Sequence, residues 1–194
     1  MRIIAGKYGG RTIKVLKGLD VRPTTDRVRE AMFSSLVSLY GNLDGANVFD
    51  GFAGSGALGF EAISRGAKTL FSFENNKKTY ENLVQNFEMF KDSDALCKLL
   101  YTDVIKCQFE HVAKDVKFDI LFFDPPYSYL GSEVLEILKA LKKADLIAQN
   151  AIIVYEHASK DSFETYVELF AMEEFNLINS KTYNEIAVEY LQFN

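Results

Sequence analysis

Ala46-Asn47-Val48-Phe49-Asp50-Gly51-Phe52-Ala53-Gly54-Ser55-Gly56-Ala57-Leu58-Gly59 decides how this chain folds. Residues Ala46 to Asp50 read as a short buried strand, and Ala57 to Arg65 as a helix. Between them Gly54-Ser55-Gly56-Ala57-Leu58-Gly59 matches G-x-G-x-x-G. Glycines so spaced allow a tight turn, close approach of backbone to a ligand, and close packing of the helix on its strand. Alone the pattern is weak. It suits a dinucleotide, another nucleoside cofactor, or a turn with no ligand.

Outward from this turn the chain alternates. Strand Thr69 to Phe73 precedes a helix from about Lys77 to Phe90, with Tyr80, Leu83, Val84 and Phe87 as its inner face. Strand Ala95 to Tyr101 is followed by a short helical stretch at 104–113, strand Phe118 to Phe123 and helix Ser132 to Lys143. Strand Ala151 to Glu156, a helix around Ser159 to Leu169, and strands at about 172–182 and 185–193 complete the series. Such alternation predicts an α/β fold with a mostly parallel sheet, helices on both faces and an antiparallel closing pair. Ligands in these sheets sit beyond the carboxyl ends of the strands, where the winding reverses. The residues just after each strand are therefore the ones to read for chemistry.

The first three of those residues are acidic. Glu74 ends the second strand, where a carboxylate can accept both hydroxyls of a ribose, whether of NAD or of S-adenosylmethionine. Asp50 tips that choice. A carboxylate there would crowd a pyrophosphate, whereas it attracts the cationic amino-acid end of S-adenosylmethionine. Asp103 follows the third strand, where it can meet an adenine amino group, cap the next helical turn, or do both.

The most specific stretch is Phe118-Asp119-Ile120-Leu121-Phe122-Phe123-Asp124-Pro125-Pro126-Tyr127. Its prolines stiffen the turn and remove two N–H donors. What remains is acceptors, the Asp124 carboxylate and the Pro125 carbonyl, beside the Tyr127 ring. The amino group of a base is a poor nucleophile because its lone pair is delocalised. Two acceptors hold its N–H bonds and aim the lone pair for in-line attack on a methyl donor. Tyr127 can stack on a base taken out of its helix. No metal is required.

Residues 2–16 read as a β-hairpin turning at Tyr8-Gly9-Gly10-Arg11. Thr24 or Thr25 then caps a helix whose apolar face is Val28, Met32, Leu36 and Leu39. Residues 1–29 carry eight basic and two acidic side chains; the other 165 carry 14 and 25. A cationic arm on an acidic body suits a polyanion docking at one end. We expect an arm and helix at 1–42 and a second unit at 43–194. The 194 residues are 48% hydrophobic and 25% charged, as in ordinary globular proteins. No apolar run suits a leader or a membrane span, so a cytoplasmic location is expected. Cys97 and Cys107 have no disulfide or metal-ligand pattern. His111 and His157 read as surface or capping residues.

The residues now on the page resemble the RsmD family, bacterial methyltransferases that act on a guanine N2 of small-subunit ribosomal RNA. The resemblance rests on Asp50 to Gly59 with Glu61-Ala62 and Ser64-Arg65-Gly66-Ala67, and on Arg22-Pro23-Thr24-Thr25-Asp26-Arg27-Val28-Arg29-Glu30-Ala31. The opening Arg2-Ile3-Ile4-Ala5-Gly6 with Gly10-Arg11, and Asp124-Pro125-Pro126-Tyr127, complete it. It covers nearly the whole chain. It implies a Rossmann-like class I methyltransferase sheet of seven strands, mostly parallel with an antiparallel last strand, preceded by the hairpin and helix extension. It implies S-adenosylmethionine held by Asp50, Phe52, Gly54, Ser55, Gly56, Glu74, Asp103 and Asp124, with Asp124, Pro125 and Tyr127 as the catalytic turn. It implies that Arg2, Lys7, Arg11, Arg22, Thr24, Arg27 and Arg29 grip 16S rRNA in assembled or assembling small subunits, Tyr127 meeting the base. A monomer is expected. Gly51 stands where the family leads one to expect a bulky apolar residue, and Asn184 where it leads one to expect glycine. A DNA adenine-N6 or protein glutamine methyltransferase, an NAD-dependent dehydrogenase and a non-catalytic RNA-binding assembly factor are the alternatives.

Overall fold

The computed structural model describes residues 1–16, 25–126, 131–159 and 175–194. Its sheet has seven strands: β1 (Asn47–Asp50), β2 (Thr69–Glu74), β3 (Leu96–Tyr101), β4 (Phe118–Phe123), β5 (Ile147–Ala158), β6 (Phe175–Tyr183) and β7 (Ile186–Phe193). Their spatial order is β3-β2-β1-β4-β5-β7-β6. The first five pair in parallel, and β7 runs antiparallel to both its neighbours. This is the Rossmann-like methyltransferase sheet with its antiparallel last strand. The helices are α1 (Asp26–Tyr40), α2 (Ala57–Ser64), α3 (Lys77–Phe87) and α4 (Gly131–Lys143). The expected helix around Ser159 to Leu169 lies almost wholly outside the described residues.

The chain leaves β1 toward β2 and β3, then returns to add β4 and β5 on the other side. The winding therefore reverses between β1 and β4, whose carboxyl ends carry Asp50 and Asp124. Both central strands are apolar on both sides. Ile120 and Phe122 enter one core with Met32, Phe33, Leu36, Phe60 and Leu70. Leu121 and Phe123 enter the other with Phe49, Phe73, Leu138 and Ile153. Period-two alternation splits each run between two cores. Phe49 anchors the second, its ring 4.9 Å from Phe73, 5.3 Å from Phe118 and 5.6 Å from Phe123.

Thr25 caps α1, its hydroxyl accepting from the Val28 amide at 3.3 Å. Val28, Met32 and Leu36 are buried on the expected face, and Arg29 and Phe33 are buried beside them. Elsewhere the structure corrects the reading. The stretch at 104–113 is two single 3-10 turns, Val104–Lys106 and Phe109–His111. Strand β5 begins at Ile147, which already pairs with Phe118; after a register shift, in which Asn150 takes a left-handed φ of 62°, the pairing resumes at Ile120 with Ile152. His157 is buried, not superficial. Its Nδ1 lies 2.9 Å from the Ala158 carbonyl and its ring stacks on Tyr155 at 5.0 Å.

The N-terminal hairpin is short: an antiparallel bridge joins Arg2 and Thr12, with the amides of Ile3, Gly10 and Ile13 donating across it to the carbonyls of Arg11, Ile3 and Met1 at 2.9, 2.9 and 3.0 Å. Four other amides of the arm bind α2. Ile4 and Ala5 donate to the Glu61 carboxylate at 2.6 and 3.1 Å, Lys7 to the Ser64 carbonyl and Tyr8 to the Ser64 hydroxyl. Ile3, Tyr8 and Ile13 join the core of the sheet, so residues 1–16 pack into the same body rather than forming a separate layer.

Candidate cofactor and active site

A cleft of about 320 Å³ opens beyond the carboxyl ends of β1, β2 and β4. The strand ends contribute Asp50, Phe73, Glu74 and Asp124, and the glycine turn contributes Gly51, Phe52, Ala53, Gly54 and Ser55. Pro126 closes the β4 side, Thr102 and Val104 the β3 side. Met1, Val15 and Leu16 reach over it from the N-terminal arm, and Arg29 from α1.

The turn is built as the glycine spacing requires. Gly56 has φ +85° and caps α2. A Cβ there would fall 2.3 Å from Phe60 and 2.6 Å from Leu83. Gly54 has φ +54° with nothing within 4 Å of where a Cβ would stand, so its backbone lies open to the cleft. Gly59 packs against Leu70 and donates its amide to Asp50 Oδ2 at 3.2 Å. Gly51 also has a local reason. A Cβ there would come within 3.0 Å of the Phe49 ring and 3.3 Å of Phe123, so the phenylalanine pair occupies the space of a larger residue. Asn184 takes φ 56° in the β6–β7 turn, the conformation a glycine would otherwise supply.

Two acids face the cleft, Asp50 buried and Glu74 half-buried. Asp50 is 1% exposed and its Oδ1 has no hydrogen-bond partner. Burial pushes its carboxyl up to about 7, helped by the charge of Glu74 and opposed by the amides of Gly59 and Phe52. Glu74 accepts from the Gly54 amide at 3.1 Å and the Asn76 amide at 2.7 Å. Burial raises its carboxyl too, against the pull of the Asn76, Gly54 and Asn75 amides. Asp103 takes the capping role. It accepts from the Ile105 amide at 3.2 Å and pairs with Lys106 at 3.2 Å, while its neighbours Thr102 and Val104 line the cleft.

Asp124 lies half-buried at the end of β4, followed by buried Pro125 and exposed Pro126. Tyr127, Arg22 and Thr24 lie outside the described residues. Of the remaining basic positions, Arg2, Lys7, Arg11 and Arg27 are exposed. Arg2 pairs with Asp26 at 3.5 Å, and Arg11 with Asp92 at 3.7 Å while lying 4.4 Å over the Tyr8 ring. Arg29 departs from this set. It is 0% exposed and turned into the cleft, because α1 lays that face on the sheet.

Sequence reasoning missed the polar stripe of α3. Thr79, Asn82 and Asn86 are buried, while Val84, expected on that inner face, is exposed. Asn82 and Asn86 each donate to the Lys14 carbonyl at 2.9 Å, and Asn86 also donates to the Ser55 carbonyl at 2.9 Å and accepts from the Lys14 amide at 3.0 Å. One side chain thus ties the arm to the glycine turn. The sequence signal was two asparagines four apart on the face of a helix toward the turn. Both thiols are free, and burial raises Cys97 to about 11, a protonated and inert state.

The family model described as Conserved hypothetical protein 95 matches residues 1–192. Ribosomal RNA small subunit methyltransferase D of Haemophilus influenzae is 32% identical over 182 residues, 94% of this chain and 88% of its own. The chain belongs to the RsmD family. The relative of the same name from Escherichia coli strain K12 is 32% identical over 165 residues, covering 85% of this RsmD-family chain and 78% of its own. The solved structure of yhhF from Escherichia coli superposes with a TM-score of 0.78 at 28% identity, covering 100% of this chain and 98% of that one. As a member of the RsmD family the chain is a methyltransferase, not a dehydrogenase. Among the described residues no helix is long and apolar enough to cross a membrane, and no group of three or more acidic, histidine or cysteine side chains could hold a metal.

Proposed function

We propose that this protein transfers a methyl group from S-adenosylmethionine to the exocyclic N2 amino group of a guanine in small-subunit ribosomal RNA, within assembled or assembling subunits. The observation that carries this reading is the convergence of Asp50, Glu74 and Asp124 on one cleft at the point where the sheet reverses. The relatives named ribosomal RNA small subunit methyltransferase D supply the substrate class.

The residues fit the cofactor. Asp50 offers an unsatisfied buried oxygen to an ammonium group. The open backbone at Gly54 admits close approach, and Glu74 has oxygens for ribose hydroxyls beside it. Thr102 and Val104 flank the place for the adenine. S-adenosylmethionine, when bound, supplies an electrophilic methyl on a sulfonium. Asp124 and the Pro125 carbonyl accept the two N–H bonds of the guanine amino group and aim its lone pair. Attack forms the N–CH₃ bond and breaks the S–CH₃ bond. The proton then lost from nitrogen passes by way of Asp124 to solvent. Tyr127 stacks on the flipped base. Arg2, Lys7, Arg11 and Arg27 engage phosphates, which confers salt-dependent affinity without reading sequence. The protein acts as a monomer in the cytoplasm.

The test is direct. Protein, methyl-labelled S-adenosylmethionine and small subunits from cells lacking this activity are incubated, and the RNA is digested for mass spectrometry. The expected product is N2-methylguanosine, lost by at least ~100-fold with Asp124→Ala, as for a group that positions the nucleophile. Label on DNA or protein instead would overturn the substrate assignment. Undiminished transfer by Asp124→Ala would overturn the catalytic turn.

A further inference from the structure

Arg29 is the only cationic side chain among the described residues lining the cleft, and it is poorly provided for. Its Nη2 donates to Asp26 Oδ1 at 3.0 Å and to the Arg2 carbonyl. Its Nε and Nη1 are buried with no hydrogen-bond partner. A guanidinium stripped of water with unmet donors is costly, and buried orphans of this kind call for a reason. Its position adds to the cost, since a cation in the first turn of α1 faces the positive end of the helix dipole.

The helix places Arg29 at a definite point. Phe33, four residues on and on the same face, packs its ring 5.5 Å from Phe122. Phe122 lies two residues before Asp124. Arg29, one turn before Phe33, lines the same cleft as Asp50 and Asp124. In that cleft Asp50 holds the complementary orphan, an acceptor without a donor.

An acceptor without a donor on Asp50 and two donors without acceptors on Arg29, in one cleft, match a zwitterion. We propose that Arg29 binds the carboxylate of the cofactor's amino-acid end, donating from Nη1 and Nε, while Asp50 holds the ammonium. This rests on the cofactor reading above and names a residue for one of its charged groups. A nucleotide phosphate is the poorer occupant. Among the described residues the other charged side chains of the cleft, Asp50, Glu74 and Asp124, are all acidic and would repel a phosphate, whereas a zwitterion is matched at both ends.

The test compares S-adenosylhomocysteine with its decarboxylated analogue, which keeps the amine and lacks only the carboxylate. Calorimetric affinities are measured for the wild type, Arg29→Met and Arg29→Lys. The wild type is expected to prefer S-adenosylhomocysteine by about 10- to 100-fold, the value of a hydrogen-bonded charge. In Arg29→Met that preference shrinks to within about 2-fold, through loss on the S-adenosylhomocysteine side alone, and Arg29→Lys is intermediate. Equal affinity of the wild type for both compounds overturns the assignment with no variant needed, so a failure of Arg29→Met to fold does not shelter it. So does a preference of wild-type size that survives in Arg29→Met. Binding of neither compound by the wild type is a separate failure, of the cofactor reading itself.

Discussion

The carboxyl of Asp50 is enclosed, receives the Gly59 amide, and keeps one oxygen without a donor. Burial and the nearby Glu74 charge bring its pKa up to about 7 from the usual carboxylate range near 4. The folded state therefore takes a proton more readily than the unfolded one. A raised pKa contributes stability that is fully present below about pH 4 and lost as the pH climbs through about 7. Asp50→Asn, neutral at every pH, is expected to be more stable than the wild type, and its advantage should grow by roughly 1–3 kcal/mol between pH 5 and pH 8. Urea unfolding at the two pH values measures this, and an advantage that shrinks toward pH 8 refutes it. The same variant should bind S-adenosylhomocysteine about 10- to 100-fold more weakly at pH 8, since the ammonium loses its carboxylate. Stability and binding pull this residue in opposite directions, as at many functional sites.

Helix α2 holds the N-terminal arm through Glu61. Its side chain is 0% exposed, accepts from the amides of Ile4 and Ala5, and pairs with Arg65 Nε at 2.7 Å. The arm in turn presents Met1, Val15 and Leu16 to the cleft. Glu61→Ala leaves two amides and a guanidinium unmatched, an expected loss of about 3–5 kcal/mol. The melting temperature should fall by roughly 10 °C, and trypsin should cut at Lys7 or Arg11 in the folded variant. Resistance of those sites, with a melting temperature within about 2 °C of wild type, would show that the arm is held without Glu61. The pattern on α3 was half legible. Leu83 is buried as its spacing foretold, but Asn82 and Asn86 satisfy the backbone of Lys14, 68 and 72 residues away, and Asn86 also that of Ser55, 31 residues away.

The whole molecule carries a net charge of −5, yet its N-terminal arm, residues 1–29, holds eight basic and two acidic side chains. On the proposed reading that arm meets ribosomal RNA, so binding should weaken steeply with salt. In a plot of log affinity against log salt, the double variant Lys7→Ala, Arg27→Ala should have a slope shallower by roughly 1.5, about 0.7–0.9 for each lost phosphate contact. An unchanged slope would remove these two side chains from the RNA interface. Arg29→Met serves as the internal contrast, because a buried residue facing the cofactor cleft should leave the slope alone.

Much of this was already in the chain. Strand and helix alternation determined a parallel sheet, because apolar runs of period two and amphipathic runs of period 3.6 can be buried together in few ways. The glycine spacing, Glu74, Asp50 and the Asp124 turn located the cleft, since residues just after strands must gather at one edge of such a sheet. Family membership was legible for the same reason. Burial and pairing were decided only by the tertiary structure. Arg29 reads as one more cation of a basic arm until α1 lies on the sheet and turns it inward. Asp103 reads as ligand, cap or both, and its cap on the Ile105 amide is seen only in the tertiary structure. The hairpin at 2–16 keeps three cross-strand hydrogen bonds, while four of its other amides find Glu61 and Ser64 on α2. Each depends on which groups compete for the same donors once distant segments meet, and local sequence does not contain that competition.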